Sequence, residues 1–320
     1  MKTSQDAQAA AEQTAEPVRL LTPGKLWLQL LFWLIGLALL AWIIRGAIEK
    51  GDWSRVTAAD PLLVVALLGC TVLSAFINGA AFWITVQPMR PLTFWDMQRL
   101  NFVGNLLNYA PVRAGALARI MYHHRVDRMG LLQMGAWFAM LGATLALSVV
   151  ACLAATVVRG EIDAIWFAVV FSIMALGALT FHAVGKHPLL ITHGRGIDKL
   201  LSHPRGVWGA MALRLADVAA FTGRMAAALA ILEIHLPAQQ VIVLAIVALA
   251  SSMIPFGRVG FREACVALAA GALASTGDAS DHVPWEQLAL VESAGEAIVF
   301  LPVGALAMIW YLRRWRAAGR

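Results

Sequence analysis

Two stretches of an otherwise apolar chain carry proline, arginine and glycine in nearly the same order: Pro111, Arg113, Gly115 and Arg119 in one, and Pro255, Gly257, Arg258, Gly260, Arg262 and Glu263 in the other. Proline lacks an N–H and disfavours the helical region for the residue before it, so each stretch breaks a helix. The glycines allow backbone to approach a ligand closely, and the free N–H groups that open the next helix attract an anion. Arginine adds a planar, permanently charged guanidinium that grips a phosphate through two hydrogen bonds. The chemistry these residue types suit is phosphate recognition, with Arg113, Arg119, Arg258 and Arg262 as candidate ligands. The same arginines also fit a plainer role as positive charges at the cytoplasmic edge of a membrane.

Upstream of the first break, Gln98, Asn101, Asn105 and Asn108 are spaced three, four and three apart, which puts four amides on one helix face. Glu292 and Glu296 are four apart on one face, where like charges repel unless one is protonated or paired. Arg214, Asp217 and Arg224 form a stripe at spacings of three and seven. These groups, with Glu263, read either as a network of buried ion pairs or as counter-ions and proton carriers, one of the glutamates coupling ligand movement to a proton gradient. His123 and His124 are adjacent and point to different helix faces, a poor arrangement for holding one metal. Neither a metal nor a cofactor is expected. The chain shows no Ser-His-Asp spacing, phosphate-binding glycine loop or nucleotide motif.

The elements that must position these residues lie in lipid. With 60% hydrophobic and 14% charged residues and 12 tryptophans in 320 residues, the composition excludes an ordinary soluble protein. The fold class is an all-α polytopic membrane protein. Long Leu- and Ala-rich runs without ten-residue alternation argue against strands. At about 20 apolar residues per span, eight candidates appear: 26–44, 61–86, 130–158, 164–184, 207–234, 238–254, 259–274 and 287–312. With the N-terminus inside, 19 of the 25 Lys and Arg fall in cytoplasmic segments, Arg258 and Arg262 among them, and only Arg45, Lys50, Arg55 and Arg159 fall outside. That is the positive-inside asymmetry, which places both termini in the cytoplasm and leaves nucleic-acid binding unsupported. Residues 1–24 read as a disordered cytoplasmic tail, 25–316 as one transmembrane domain and 317–320 as the end of a second tail. The first span reads as an uncleaved anchor. Cys70, Cys152 and Cys265 read as small buried hydrophobes, and Trp27, Trp42, Trp53, Trp285, Trp310 and Trp315 as interfacial anchors.

Segments 92–122 and 251–275 fit neither a clean span nor an ordinary loop. Each reads as an amphipathic helix on the inner leaflet or as a re-entrant, broken helix lining a wet cavity; irregular backbone at membrane depth is tolerated only in such a setting. Their shared pattern favours the re-entrant reading and a two-repeat architecture with a site at the repeat interface. Parallel and inverted repeats fit equally.

These two motifs resemble those of the transmembrane domain of lysylphosphatidylglycerol synthases and its stand-alone relatives. The first family motif is matched by Asn105, Pro111, Arg113, Gly115 and Arg119, the second by Pro255, Gly257, Gly260 and Glu263. Two positions depart: Ala116 stands where family members often have an acidic residue, and Arg258 where they have a glycine. In the full-length synthases this domain is flippase-like, and a soluble C-terminal domain attaches the amino acid. This chain ends eight residues after its last expected span, so aminoacyl transfer is not expected. The resemblance implies a flippase-like transporter of a bacterial-type inner membrane, moving or presenting an anionic or glycosylated lipid: a phospholipid, a glycolipid or a polyprenyl phosphate. Two alternatives stand beside it. One is an accessory subunit presenting lipid to a separate membrane glycosyltransferase or lipid-modifying enzyme. The other is a headgroup-modifying enzyme using His123, His124 and Glu263.

Overall fold

A computed structural model describes residues 23–110, 114–193, 197–252, 259–274 and 285–318, which form helices and no strand. Five helices are long and apolar enough to cross a membrane: α1 (Pro23–Lys50), α3 (Pro61–Val86), α6 (Leu131–Val158), α7 (Ala164–Gly185) and α13 (Trp285–Ala317). Their starts are written locally. Asp60 caps α3 by accepting from the Leu62 N–H at 2.8 Å, with Pro61 in the first turn, and Asp163 caps α7 by accepting from the Trp166 N–H at 2.8 Å. A sixth long helix, α10 (Pro204–Ile231), carries Arg214, Asp217 and Arg224 on its buried side. The outward faces of the long helices are apolar, with Leu34, Val157, Leu176 and Leu306 exposed, while the buried polar set holds four arginines and four carboxylates. Such an inside-out distribution suits lipid, not water, as the surrounding solvent.

Helices α3 and α10 form the central antiparallel pair. Along it Ile84 packs on Gly209, Cys70 on Gly223, and Ser74 and Asn78 meet Asp217 and Arg214. Small residues let the two backbones come close.

Two helical hairpins complete the bundle. The first is α4 (Phe94–Leu107) with α5 (Ala114–Arg125). Helix α4 starts beside the end of α3, where the Trp83 indole donates to the Leu92 carbonyl, and runs back along it: the amides of Gln98 and Asn101 donate to the carbonyls of Phe76 and Ala75 at 2.9 and 2.8 Å. Helix α5 returns to the same end, where Arg125 lies over Trp315 of α13. The second hairpin is α11 (Ala238–Ser251) with α12 (Phe261–Ala274). Helix α11 leaves the far end of α10, and α12 begins at Gly260 against Gly36 in the middle of α1 and ends beside Trp285 at the start of α13. The two hairpins therefore enter from opposite ends, and Asn105 and Asn108 of the first meet Ser252 of the second around one cavity. Three short helices, α2 (Trp53–Thr57), α8 (Pro188–His193) and α9 (Ile197–Ser202), lie in the connections. The α1–α3 connection is pinned to α13 by Gln287, whose amide donates to and accepts from the Asp52 backbone at 3.0 and 3.1 Å.

Of the eight expected spans, five correspond to helices long and apolar enough to cross. Helices α11 and α12 have 14 residues each, about 21 Å of helix against a hydrocarbon core of about 30 Å, and the two pack as a hairpin. Arg262, expected among the charges at a cytoplasmic edge, is instead 2% exposed in the bundle interior. The remaining edge charges do segregate. Arg90, Arg99, Arg125, Lys186, Arg205 and Arg314 lie at the end where the first hairpin enters, and Lys50, Arg55 and Arg159 at the other.

Gly260 is the tightest point of the second hairpin. Its φ is 84°, and a Cβ there would collide with the Gly36 carbonyl oxygen. Gly260→Ala is expected to destabilise the fold by about 1–3 kcal/mol, read as a lowered unfolding temperature in detergent. Gly271→Ala is the control, because its Cβ would meet only Trp285 at 3.7 Å, an ordinary contact.

Candidate functional site

The tip of the first hairpin, the middle of α3 and α10, and parts of α6 and α13 enclose a polar cavity of ≈ 290 Å³. Its walls include Ser74 and Asn78 from α3, Asn105, Asn108, Ala116 and Arg119 from the hairpin, Arg214, Asp217 and Arg224 from α10, and Glu296 from α13. Arg119 is 8% exposed. Its Nη2 donates to the Asn101 side-chain oxygen at 2.8 Å and to the Asn101 carbonyl at 3.2 Å, and its guanidinium lies 4.5 Å from the centre of the Phe82 ring. Nε has no hydrogen-bond partner, and among the described residues no carboxylate pairs with Arg119. Glycines make the room: a Cβ on Gly104 would collide with the Arg119 guanidinium, and one on Gly115 with the Gly104 carbonyl and the Asn108 side chain.

The predicted amide face is divided in its work. Asn105 and Asn108 line the cavity, whereas Asn101 does not. It is 2% exposed and positions Arg119 while donating to the Ala75 carbonyl. Opposite them, Asp217 accepts from Ser74 Oγ at 2.6 Å and lies 3.6 Å from Arg214, whose Nη1 also donates to Asn78 at 3.1 Å.

Deeper in the bundle the structure brings together four buried charges from three helices. Arg224 of α10 reaches Glu292 at 2.5 Å and Glu296 at 3.4 Å, both on α13, and Arg262 of α12 bonds the same two carboxylates. None of the four is more than 2% exposed. An isolated ion here would cost several kcal/mol, and two positive with two negative groups offset that cost. Arg262 thus holds two glutamates in the position where the sequence suggested a phosphate ligand. Glu263 turns back to accept from the Gly260 N–H at 2.7 Å, one half of a capping box at the start of α12.

On the other side of this quartet lies a second, apolar cavity of ≈ 420 Å³, walled by Leu40, Trp53, Leu67, Tyr109, Leu290 and Ile298, with Arg262 and Glu263 at its polar end. The polar cavity touches the quartet through Arg224 and Glu296, the apolar one through Arg262. No protein-family model, curated protein or solved structure matches this chain.

Pro111, Arg113, Pro255, Gly257 and Arg258 lie outside the described residues. The histidines stand apart from both cavities: His123 Nδ1 is 2.7 Å from Asp127, His124 Nδ1 is 3.0 Å from the Met129 carbonyl, and neither meets Glu263. Sequence reasoning missed Ser74 and Asn78. Their signal was a polar pair four residues apart in an apolar helix, facing the Arg214–Asp217 pair on the partner helix.

Proposed function

We propose that this protein is a flippase-like lipid transporter, in which a lipid's negatively charged headgroup rests in the polar cavity against Arg119 and Arg214 while its hydrocarbon stays in the bilayer. The observation that carries this reading is a buried guanidinium that has no counter-ion among the described residues, facing an amide-lined hollow. A buried charge that lacks a partner in the protein is compensated when an anionic ligand supplies one. In a membrane, a protein needs such a place only if something charged must leave water there.

The architecture supports movement over mere holding. Taken as re-entrant elements, the two hairpins dip from opposite faces. The order α3, hairpin, α6 is repeated in reversed direction by α10, hairpin, α13, an inverted repeat of the kind that places a site at mid-membrane. The polar cavity is the headgroup's first station, the quartet closes it from the apolar cavity, and the basic end of the bundle faces the cytoplasm. The resemblance of the two broken motifs to the lysylphosphatidylglycerol synthase transmembrane domain supports the same class of ligand.

The test is reconstitution of the full chain into liposomes with a headgroup-labelled phosphatidylglycerol, followed by the fraction of label that becomes accessible to an external quencher. Wild type is expected to accelerate translocation, and Arg119→Gln to slow it by roughly tenfold or more, the worth of a charge-assisted hydrogen bond. Translocation no faster than in empty liposomes, or equal rates for Arg119→Gln and wild type, overturns the reading. Mass spectrometry of the same lipids should find their headgroups unaltered.

A further inference from the structure

We propose that the polar cavity selects phosphate-ester headgroups that lack an ammonium group, and that Ala116 sets this selectivity. The inference rests on the headgroup placement above. The ionised groups on the cavity wall are Arg119, Arg214, Arg224, Asp217 and Glu296. Each carboxylate is already engaged: Asp217 by Ser74 and Arg214, and Glu296 by Arg224 and Arg262. With Arg262, Glu292 and Glu263 included, the buried guanidiniums and carboxylates number four each, but Glu263 faces the apolar cavity and accepts from the Gly260 N–H, and among the described residues no carboxylate pairs with Arg119. Arg119 and Arg214 both line the cavity, so two like charges converge on one hollow and repel each other there.

A bound phosphate ester relieves that repulsion and finds two guanidiniums able to donate to it. An ammonium on the same headgroup meets the reverse. On the hairpin that carries Arg119 the other cavity-lining residues are Asn105, Asn108 and Ala116, and Phe82 lies under the guanidinium; none of these carries a negative charge. The ammonium must then give up its water in exchange for amide oxygens while facing like charge. Ala116 lies three residues before Arg119 on α5 and on the cavity wall, so an acid there would reach the guanidinium from the same helix face. It would pair with Arg119 and give an ammonium its partner.

Two sources share the favoured chemistry, a phosphodiester such as phosphatidylglycerol and a phosphomonoester such as a prenyl phosphate. Equilibrium binding to the full chain in detergent separates them, using dioctanoyl-phosphatidylglycerol, farnesyl phosphate and dioctanoyl-phosphatidylethanolamine as probes. At least one of the first two is expected to bind roughly tenfold more tightly than the third, and whichever does so identifies the source. Arg119→Gln should erase the difference, and Ala116→Asp should reverse it in favour of phosphatidylethanolamine. Equal wild-type affinities for all three probes overturn the selectivity while leaving the headgroup site standing. Absence of binding by every probe overturns the site itself. Should Ala116→Asp fail to fold, as judged by thermal unfolding, the wild-type ranking and Arg119→Gln decide.

Discussion

Arg262→Leu is expected to destabilise the protein by about 3–5 kcal/mol, the usual cost of removing one member of a buried ionic network. The substitution leaves Glu292 and Glu296 sharing Arg224 alone, so the interior gains an uncompensated negative charge where all four groups are at most 2% exposed. Arg262→Lys should recover only part of this loss. The guanidinium bonds Glu292 through Nη2 and Glu296 through Nη1, and a single ammonium point charge cannot reproduce that fork. Combining Arg262→Leu with Glu292→Gln restores neutrality, and the pair should be far less damaging than the sum of the two single changes. Thermal unfolding in detergent reads all four variants. A fully stable Arg262→Leu, or strictly additive single and double changes, would mean that the quartet is not an interdependent unit.

Much of the helical scaffold was legible because its signals are local. Asp60–Pro61 and Asp163 announce helix starts, and unbroken apolar runs announce α3, α6 and α7. The second hairpin was not legible as such. Residues 238–254 and 259–274 read as two spans because apolarity reports that a helix lies in lipid, not how far through it runs. The short lengths become decisive only when Gly260 is seen at the middle of α1 and Gly271 beside Trp285. The stripe of Arg214, Asp217 and Arg224 could be read as inward-facing from its spacing, but its partners could not. Ser74 and Asn78 are more than 130 positions away, and Glu292 and Glu296 about 70. Ser74 and Asn78 alone look like the isolated polar residues that apolar helices tolerate. Asn101 shows a related limit: periodicity gave it the same face as Asn105, but that face both lines a cavity and clamps Arg119, and spacing cannot separate those tasks.

Cysteines placed at Asn105 and at Ser293 are expected to react with a charged, membrane-impermeant thiol reagent from opposite sides of the bilayer. The experiment uses a background in which the three free cysteines, Cys70, Cys152 and Cys265, are replaced. Asn105 lines the polar cavity and Ser293 the apolar one, and the quartet lies between them. A hydrated reagent cannot pass it without separating four paired charges in a medium where each costs several kcal/mol to strand. Asn105→Cys should therefore label from the face bearing Arg90, Arg99 and Arg125, and Ser293→Cys from the face bearing Lys50 and Arg55. Adding Glu296→Gln weakens the bonds that hold Arg262 and Arg224, so labelling of Asn105→Cys should begin to appear from both faces. If both positions label from one face, or if Glu296→Gln leaves sidedness unchanged, the quartet is not the barrier. The two cavities would then be ends of one continuous hollow. Charge pairing is suited to such a barrier because its strength depends on occupancy: under the proposed function, a phosphate in the polar cavity would offer Arg224 an anion to exchange for a glutamate, and the headgroup itself would weaken the closure.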